Sequence, residues 1–266
     1  MKNLCLVLLL SVALASCAQK KSAAPTMIMY SVKVKDSFEI YINAPKKIDT
    51  SKQLSVFYYM DANLKSGKKL RELIAQPEFA AKVDTTIFVG IGHIGNFHVL
   101  RRRDFILPEI NNGDTAGASA SYGQIENFYQ LLKTELIPMI DSTYNTRAGN
   151  NSILGHSLGG LFAFYCLFKN DTIFKNMYAL SPSLWVDNYA IYKFNHLAAG
   201  SSNKKNLYFS CGSLEVFNRI KAGTNEMDLF LEKQNYTGLS YKYEIHGGKT
   251  HNSQVERSLD HILKQN

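Results

Sequence analysis

Apolar residues along this chain gather into two kinds of run that take turns. Strands are expected at Ser152 to Leu154, Met177 to Leu180, Leu207 to Cys211 and Tyr241 to His246, and near-continuous apolar stretches occur at Leu54 to Met60 and Thr86 to Gly92. Runs of that length without alternation predict strands covered on both faces. Between them lie stretches with helical spacing, at Ser66 to Ala75, Leu161 to Leu167, Thr224 to Gln234 and Ser253 to Lys264. A further helix is marked by Ile125, Phe128, Leu131, Leu132, Leu136 and Ile140 on one face, with Pro138 kinking or ending it. Ahead of all these, Met27 to Lys33 and Ser37 to Asn43 alternate and are rich in β-branched and aromatic residues, which predicts an antiparallel hairpin.

Strand and helix alternation of this kind specifies the α/β class, with a doubly wound, mostly parallel sheet and an antiparallel N-terminal hairpin. In such a sheet, ligands bind beyond the carboxyl ends of the strands. The segment from His93 to Ser121 is long, polar and glycine-spotted, and is expected to be a functional or disordered loop.

One strand-to-helix junction carries chemistry. Gly155-His156-Ser157-Leu158-Gly159 fits the G-x-S-x-G nucleophile elbow, with a strand before it and an apolar helix after it. A simple Gly-Ser turn is the competing reading. A serine hydroxyl is a poor nucleophile at neutral pH, so Ser157 needs a base. His251 follows the last strand after Gly247-Gly248 and is the first candidate. His246, inside that strand, is the competitor, and His156 is expected to pack beside the elbow. A histidine base needs a carboxylate to hold its tautomer. Glu215, just past the strand ending at Cys211, is placed for this, ahead of Glu226 and Asp228. The order Ser, Glu, His is that of the α/β-hydrolase fold. Backbone N–H groups of Leu158 and of Asp61 or Ala62 are the candidate oxyanion donors.

The formal charge of +8 comes from 30 Lys and Arg against 22 Asp and Glu, with clusters at Lys65, Lys68, Lys69 and Arg71 and at Arg101 to Arg103. Such patches suit an anionic substrate or membrane surface, or are solvated faces. Nucleic acid is not expected as a partner, since no nucleic-acid motif is present. No Cys or His pair has zinc-site spacing, so neither metal nor cofactor is expected.

The N-terminus reads as an export leader over residues 1–16, with Lys2 ahead of an apolar run from Leu4 to Ala15 that is short for a membrane span. Leu14-Ala15-Ser16-Cys17 resembles a bacterial lipobox, which would put lipid on Cys17 and anchor the protein to a membrane on the periplasmic side or the cell surface. Plain secretory cleavage near Ala18 is the alternative. Residues 17–25 read as a tether and 26–266 as one domain. Of the 4 cysteines, Cys166 and Cys211 lie in apolar stretches and are expected to be buried free thiols.

Several pieces together resemble the esterase D-like esterase family of α/β hydrolases, and within it the branch of enterochelin and salmochelin siderophore esterases. They are Tyr58-Tyr59-Met60-Asp61, Val89-Gly90-Ile91-Gly92, Arg103-Asp104-Phe105, Glu135-Leu136-Ile137-Pro138, the elbow, Ser181-Pro182-Ser183-Leu184-Trp185 and the turn Gly212 to Glu215. The resemblance implies a serine esterase working through an acyl-enzyme, with nucleophile, acid and base on Ser157, Glu215 and His251. It implies substrate contacts from Arg101, Arg103 and Trp185, and siderophore or polysaccharide acyl esters as substrates. Asp61-Ala62-Asn63 departs from the Asp-Gly that relatives often carry there, which leaves the second oxyanion donor open. The reading from a different class is a ligand- or glycan-binding lipoprotein that keeps the fold without turnover.

Overall fold

The computed structural model describes residues 24–48, 51–108, 122–197, 203–217 and 219–265. The expected leader and Cys17 lie outside these. Eight strands form one sheet: β1 (Met27–Ser31), β2 (Asp36–Asn43), β3 (Ser55–Met60), β4 (Thr86–His93), β5 (Asn151–His156), β6 (Phe174–Leu180), β7 (Lys205–Gly212) and β8 (Leu239–His246). Their order across the sheet is β1-β2-β4-β3-β5-β6-β7-β8. The first two strands form an antiparallel hairpin, and β2 joins β4 antiparallel. From β4 to β8 every neighbouring pair is parallel. The carboxyl ends of β3 to β8 therefore share one rim.

Parallel strands need crossovers, and the helices of those crossovers cover both faces. On one face, α1 (Lys65–Ile74), the short α2 (Ala80–Val83) and the C-terminal α8 (Val255–Lys264) bury Leu70, Leu73, Leu259 and Ile262 against Phe57, Tyr59 and Phe88. On the other lie α3 (Phe97–Phe105), α4 (Ile125–Leu131), α5 (Ile137–Thr143), α6 (Leu158–Phe168) and α7 (Ile220–Gln234). There Phe38, Phe105 and Phe128 surround the buried His93 ring, and Phe162 packs on Phe105 and Phe128. Helix α6 sits at the centre of this layer, and every residue from Gly159 to Phe168 is buried. That explains why its sequence is apolar all round, with no polar stripe.

Of the two readings of Pro138, ending the helix does not hold, because the helix runs on through Ile137–Thr143 after a π-helical turn at Leu132–Leu136. Wider turns of this kind absorb the hydrogen bond that proline cannot make. The segment after β4 is also not a plain loop, because α3 forms within it, capped by the Asn96 side chain, which accepts from the His98 N–H at 3.2 Å. Residues 109–121 of that segment lie outside the described residues.

Candidate active site

The turn after β5 is forced into its shape by crowding. A Cβ on Gly155 would come within 1.9 Å of the Gly159 carbonyl oxygen, so strand and helix can approach only through glycine. Ser157 stands between them at φ 61° and ψ −116°, a backbone conformation that an L-residue rarely adopts. Its N–H donates to Leu180 O and its carbonyl accepts from Ser183 N–H, which tie the turn to the end of β6. Among the described residues the Ser157 hydroxyl has one hydrogen-bond partner, Ser183 Oγ at 3.3 Å.

Glu215 and His251 come from the turns after β7 and β8 and meet. His251 Nδ1 lies 2.7 Å from Glu215 Oε2. The other carboxylate oxygen, Oε1, accepts from the Gly212 N–H and from Ser181 Oγ, both at 2.6 Å. Burial pushes the Glu215 carboxyl up, but hydrogen bonds from His251, Ser181 and Gly212 outweigh it and hold the group below the ordinary glutamate value. A carboxylate so held stays ionised and fixes the proton of His251 on Nδ1, which leaves Nε2 with its lone pair. No hydrogen bond joins His251 Nε2 to Ser157 among the described residues. Such contacts often tighten only around substrate.

Behind Glu215 runs a buried polar chain that the sequence does not advertise. Gln254 Nε2 donates to Ser181 Oγ at 2.9 Å, so the Ser181 proton must point to Glu215. Gln254 Oε1 accepts from Ser258 Oγ at 2.6 Å, and Ser258 in turn lies 2.8 Å from His246 Nε2. Ser181, Gln254 and Ser258 are all fully buried. His246 belongs to this chain, and no bond links it to Ser157 or Glu215 among the described residues. Its pKa is lowered, chiefly by burial.

His156 packs against His251, with ring centroids 4.5 Å apart, and its Nε2 donates to the His251 carbonyl at 2.9 Å. Burial, then the neighbouring His251, pushes its pKa down to about 3, so it is neutral and holds the His251 backbone. Burial likewise pushes the thiols of Cys166 and Cys211 up, and both are free. Neither thiol is poised as a nucleophile.

The oxyanion candidates are not equivalent. Leu158 N–H opens α6 and has no acceptor within the helix. Ala62 N–H is committed to the sheet, donating to Ile91 O at 2.9 Å. This removes Ala62 as a free donor and leaves Asp61, whose N–H has no acceptor among the described residues. Of the expected substrate contacts, Trp185 is 37% exposed on the turn after β6. The two arginines spend their charge inside the fold. Arg103 pairs with both oxygens of Asp104, at 2.7 and 2.8 Å, and with Asp36 at 2.7 Å. Arg101 reaches Asp61 and the His156 carbonyl. No cluster of His, Cys, Asp and Glu among the described residues is grouped to hold a metal ion.

A family model described as "Putative esterase" matches residues 31–257. The chain is 26% identical over 206 residues to the ferri-bacillibactin esterase BesA of Bacillus subtilis (strain 168), covering 73% of this chain and 71% of the relative. It is 24% identical over 153 residues to the apo-salmochelin esterase of Escherichia coli O6:H1 (strain CFT073), covering 55% of this chain and 47% of the relative. Among solved structures, the BES protein from Bacillus cereus superposes with a TM-score of 0.76 at 27% identity, over 89% of this chain and 93% of that one.

Proposed function

Since the chain belongs to the esterase family of α/β hydrolases, enzymes that act on ester bonds, we propose that it is a serine esterase that opens the ester linkages of siderophores. The observation that carries the mechanistic part is the strained Ser157 elbow on the rim that also bears the joined Glu215–His251 pair. In this reading Ser157 Oγ attacks the ester carbonyl carbon while its proton passes to His251 Nε2. Glu215 stays ionised and stabilises the imidazolium. Negative charge on the carbonyl oxygen is met by the N–H groups of Leu158 and Asp61. Collapse breaks the bond to the leaving alkoxide, which takes the proton from His251. Water then repeats the sequence against the acyl-enzyme and frees the acid and Ser157.

The substrate class rests on the relatives, whose names specify ferric bacillibactin and iron-free salmochelin. Trp185 offers an exposed aromatic face for a planar acyl group. The test is product analysis by chromatography, with ferric and iron-free catecholate trilactones beside simple p-nitrophenyl esters. Wild-type protein is expected to linearise the trilactone, and Ser157→Ala to release nothing above background from any ester. Equal hydrolysis by the two proteins would end this reading.

A further inference from the structure

The two candidate oxyanion donors sit on separate loops, and one partly buried side chain bridges them. Asp61 ends β3 in the left-handed region, at φ 58°, a conformation that a non-glycine residue holds only when its surroundings impose it. Its side chain is 2% exposed. Nearby, the first turn of α6 is packed so closely that a Cβ on Gly159 would lie 3.4 Å from Asp61 Oδ2. A carboxylate beside the site where an oxyanion must form is unfavourable unless its charge is neutralised.

Arg101 supplies that neutralisation and more. Projecting from α3, its Nε donates to Asp61 Oδ1 at 2.8 Å, and its Nη2 donates to the His156 carbonyl at 3.1 Å. The first contact holds the turn after β3, which carries Asp61 N–H. The second holds the residue before Ser157, on the turn that carries Leu158 N–H. The guanidinium also lies 5.8 Å from the Phe105 ring, and the side chain is only 13% exposed. A planar fork with two anchored edges fixes the distance between what it joins, which an ammonium cannot do in the same way.

We propose that Arg101 is a positioning residue of the oxyanion site, tying the β3 and β5 turns together so that the Asp61 and Leu158 N–H groups keep one separation as charge develops. This rests on the serine esterase reading above. It differs from the role expected of Arg101 from sequence, that of meeting an anionic substrate, and the two roles separate experimentally. A substrate contact matters only for charged substrates and acts on KM. A positioning residue acts on kcat whatever charge the substrate carries.

The experiment measures kcat and KM of wild type, Arg101→Met, Arg101→Lys and Asp61→Asn on neutral p-nitrophenyl acetate and on anionic mono-p-nitrophenyl succinate. Arg101→Met is expected to lower kcat on both esters by a similar factor, between about tenfold and 10³-fold, bounded by the loss of a whole oxyanion donor. KM should shift less than about threefold, and Arg101→Lys should recover only part of kcat. Asp61→Asn keeps the shape and the acceptor while removing the charge, and gives a second reading should Arg101→Met fail to fold. The double variant Arg101→Met/Asp61→Asn should lose little more than the worse single one, as expected of residues acting as a unit. Unchanged kcat on the neutral ester, or a rise in KM confined to the anionic one, would overturn the proposal. Ser157→Ala run in parallel isolates the underlying reading, because hydrolysis that survives it sinks the esterase mechanism and not the bridge alone.

Discussion

Gln254 and Glu215 never touch, yet the orientation of one fixes the other through Ser181. The Gln254 amide turns its nitrogen, its donor end, to Ser181, because its oxygen already accepts from Ser258. Ser181 must then donate its single proton to Glu215 Oε1. With the Gly212 N–H on the same oxygen, Oε2 is left for His251 Nδ1. The direction of every proton along this buried path is therefore set, and buried polar groups that are fully paired are what make such a setting rigid.

From this follows the expected effect of Glu215→Gln. The amide oxygen would stay with Gly212 and Ser181, which are donors, and the amide nitrogen would face His251 Nδ1. Facing a donor, Nδ1 must become the acceptor, and the proton moves to Nε2, where the base needs a lone pair. We expect kcat to fall by roughly 10³- to 10⁴-fold, as when the corresponding carboxylate is replaced in a serine hydrolase triad, with thermal stability near wild type. Steady-state kinetics and a melting curve check both halves. A variant retaining more than a tenth of wild-type kcat would contradict the role given to Glu215.

A second expectation contrasts two glycines. At Gly155 an added methyl would overlap the backbone of Gly159, with 1.9 Å to its oxygen and 2.1 Å to its carbon. Neither strand β5 nor helix α6 can yield, since both are buried along their length. Gly155→Ala should therefore cost at least the 1–3 kcal/mol typical of overpacking and abolish activity. At Gly247, on the turn leading to His251, nothing lies within 4 Å of the added atom. Gly247→Ala should stay within about 0.5 kcal/mol of wild type. Urea unfolding of the two variants side by side would decide it, and equal costs would contradict the crowding argument.

Much of this architecture could be read from the chain because strands buried on both faces leave unbroken apolar runs. The runs at Leu54 to Met60 and Thr86 to Gly92 became β3 and β4. The same topology brings the turns bearing Ser157, Glu215 and His251 to one rim. Helix α3 was harder to see because its Arg101, Arg102 and Arg103 hide the apolar period, and two of them are neutralised by acids distant in sequence, Asp61 and Asp36. Ser181, Gln254 and Ser258 look like surface residues in a sequence. Only the packing of α8 over the sheet turns them inward, where each finds a partner from another element. The commitment of Ala62 N–H to Ile91 depends on strand register, which spacing along one chain does not reveal.

The last expectation concerns acid. His156 is neutral in the folded protein because burial and the adjacent His251 push its pKa down to about 3, whereas an exposed histidine in the unfolded chain titrates near 6.5. Between these values the unfolded state binds a proton that the folded state refuses. Stability from this group is thus fully present above about pH 6.5 and is lost as the pH falls towards 3, at up to about 1.4 kcal/mol per pH unit. His246, also lowered by burial, adds to the same slope over its own, narrower window. Carboxylates whose values are depressed, Glu215 among them, change the slope only below their ordinary range, while burial raises Asp171 and Asp228 and opposes the histidines, so over the interval from pH 5 to 6.5 the difference between wild type and a His156 variant isolates this one ring. Urea unfolding at half-unit steps across that interval should show stability rising with pH in wild type. In His156→Gln, which keeps a side-chain donor for the His251 carbonyl, the slope should shrink by up to about 1.4 kcal/mol per pH unit. A slope unaltered by the substitution would mean that His156 takes up its proton in the folded state as readily as in the unfolded chain, and that the ring is not sealed from water as the packing against His251 requires.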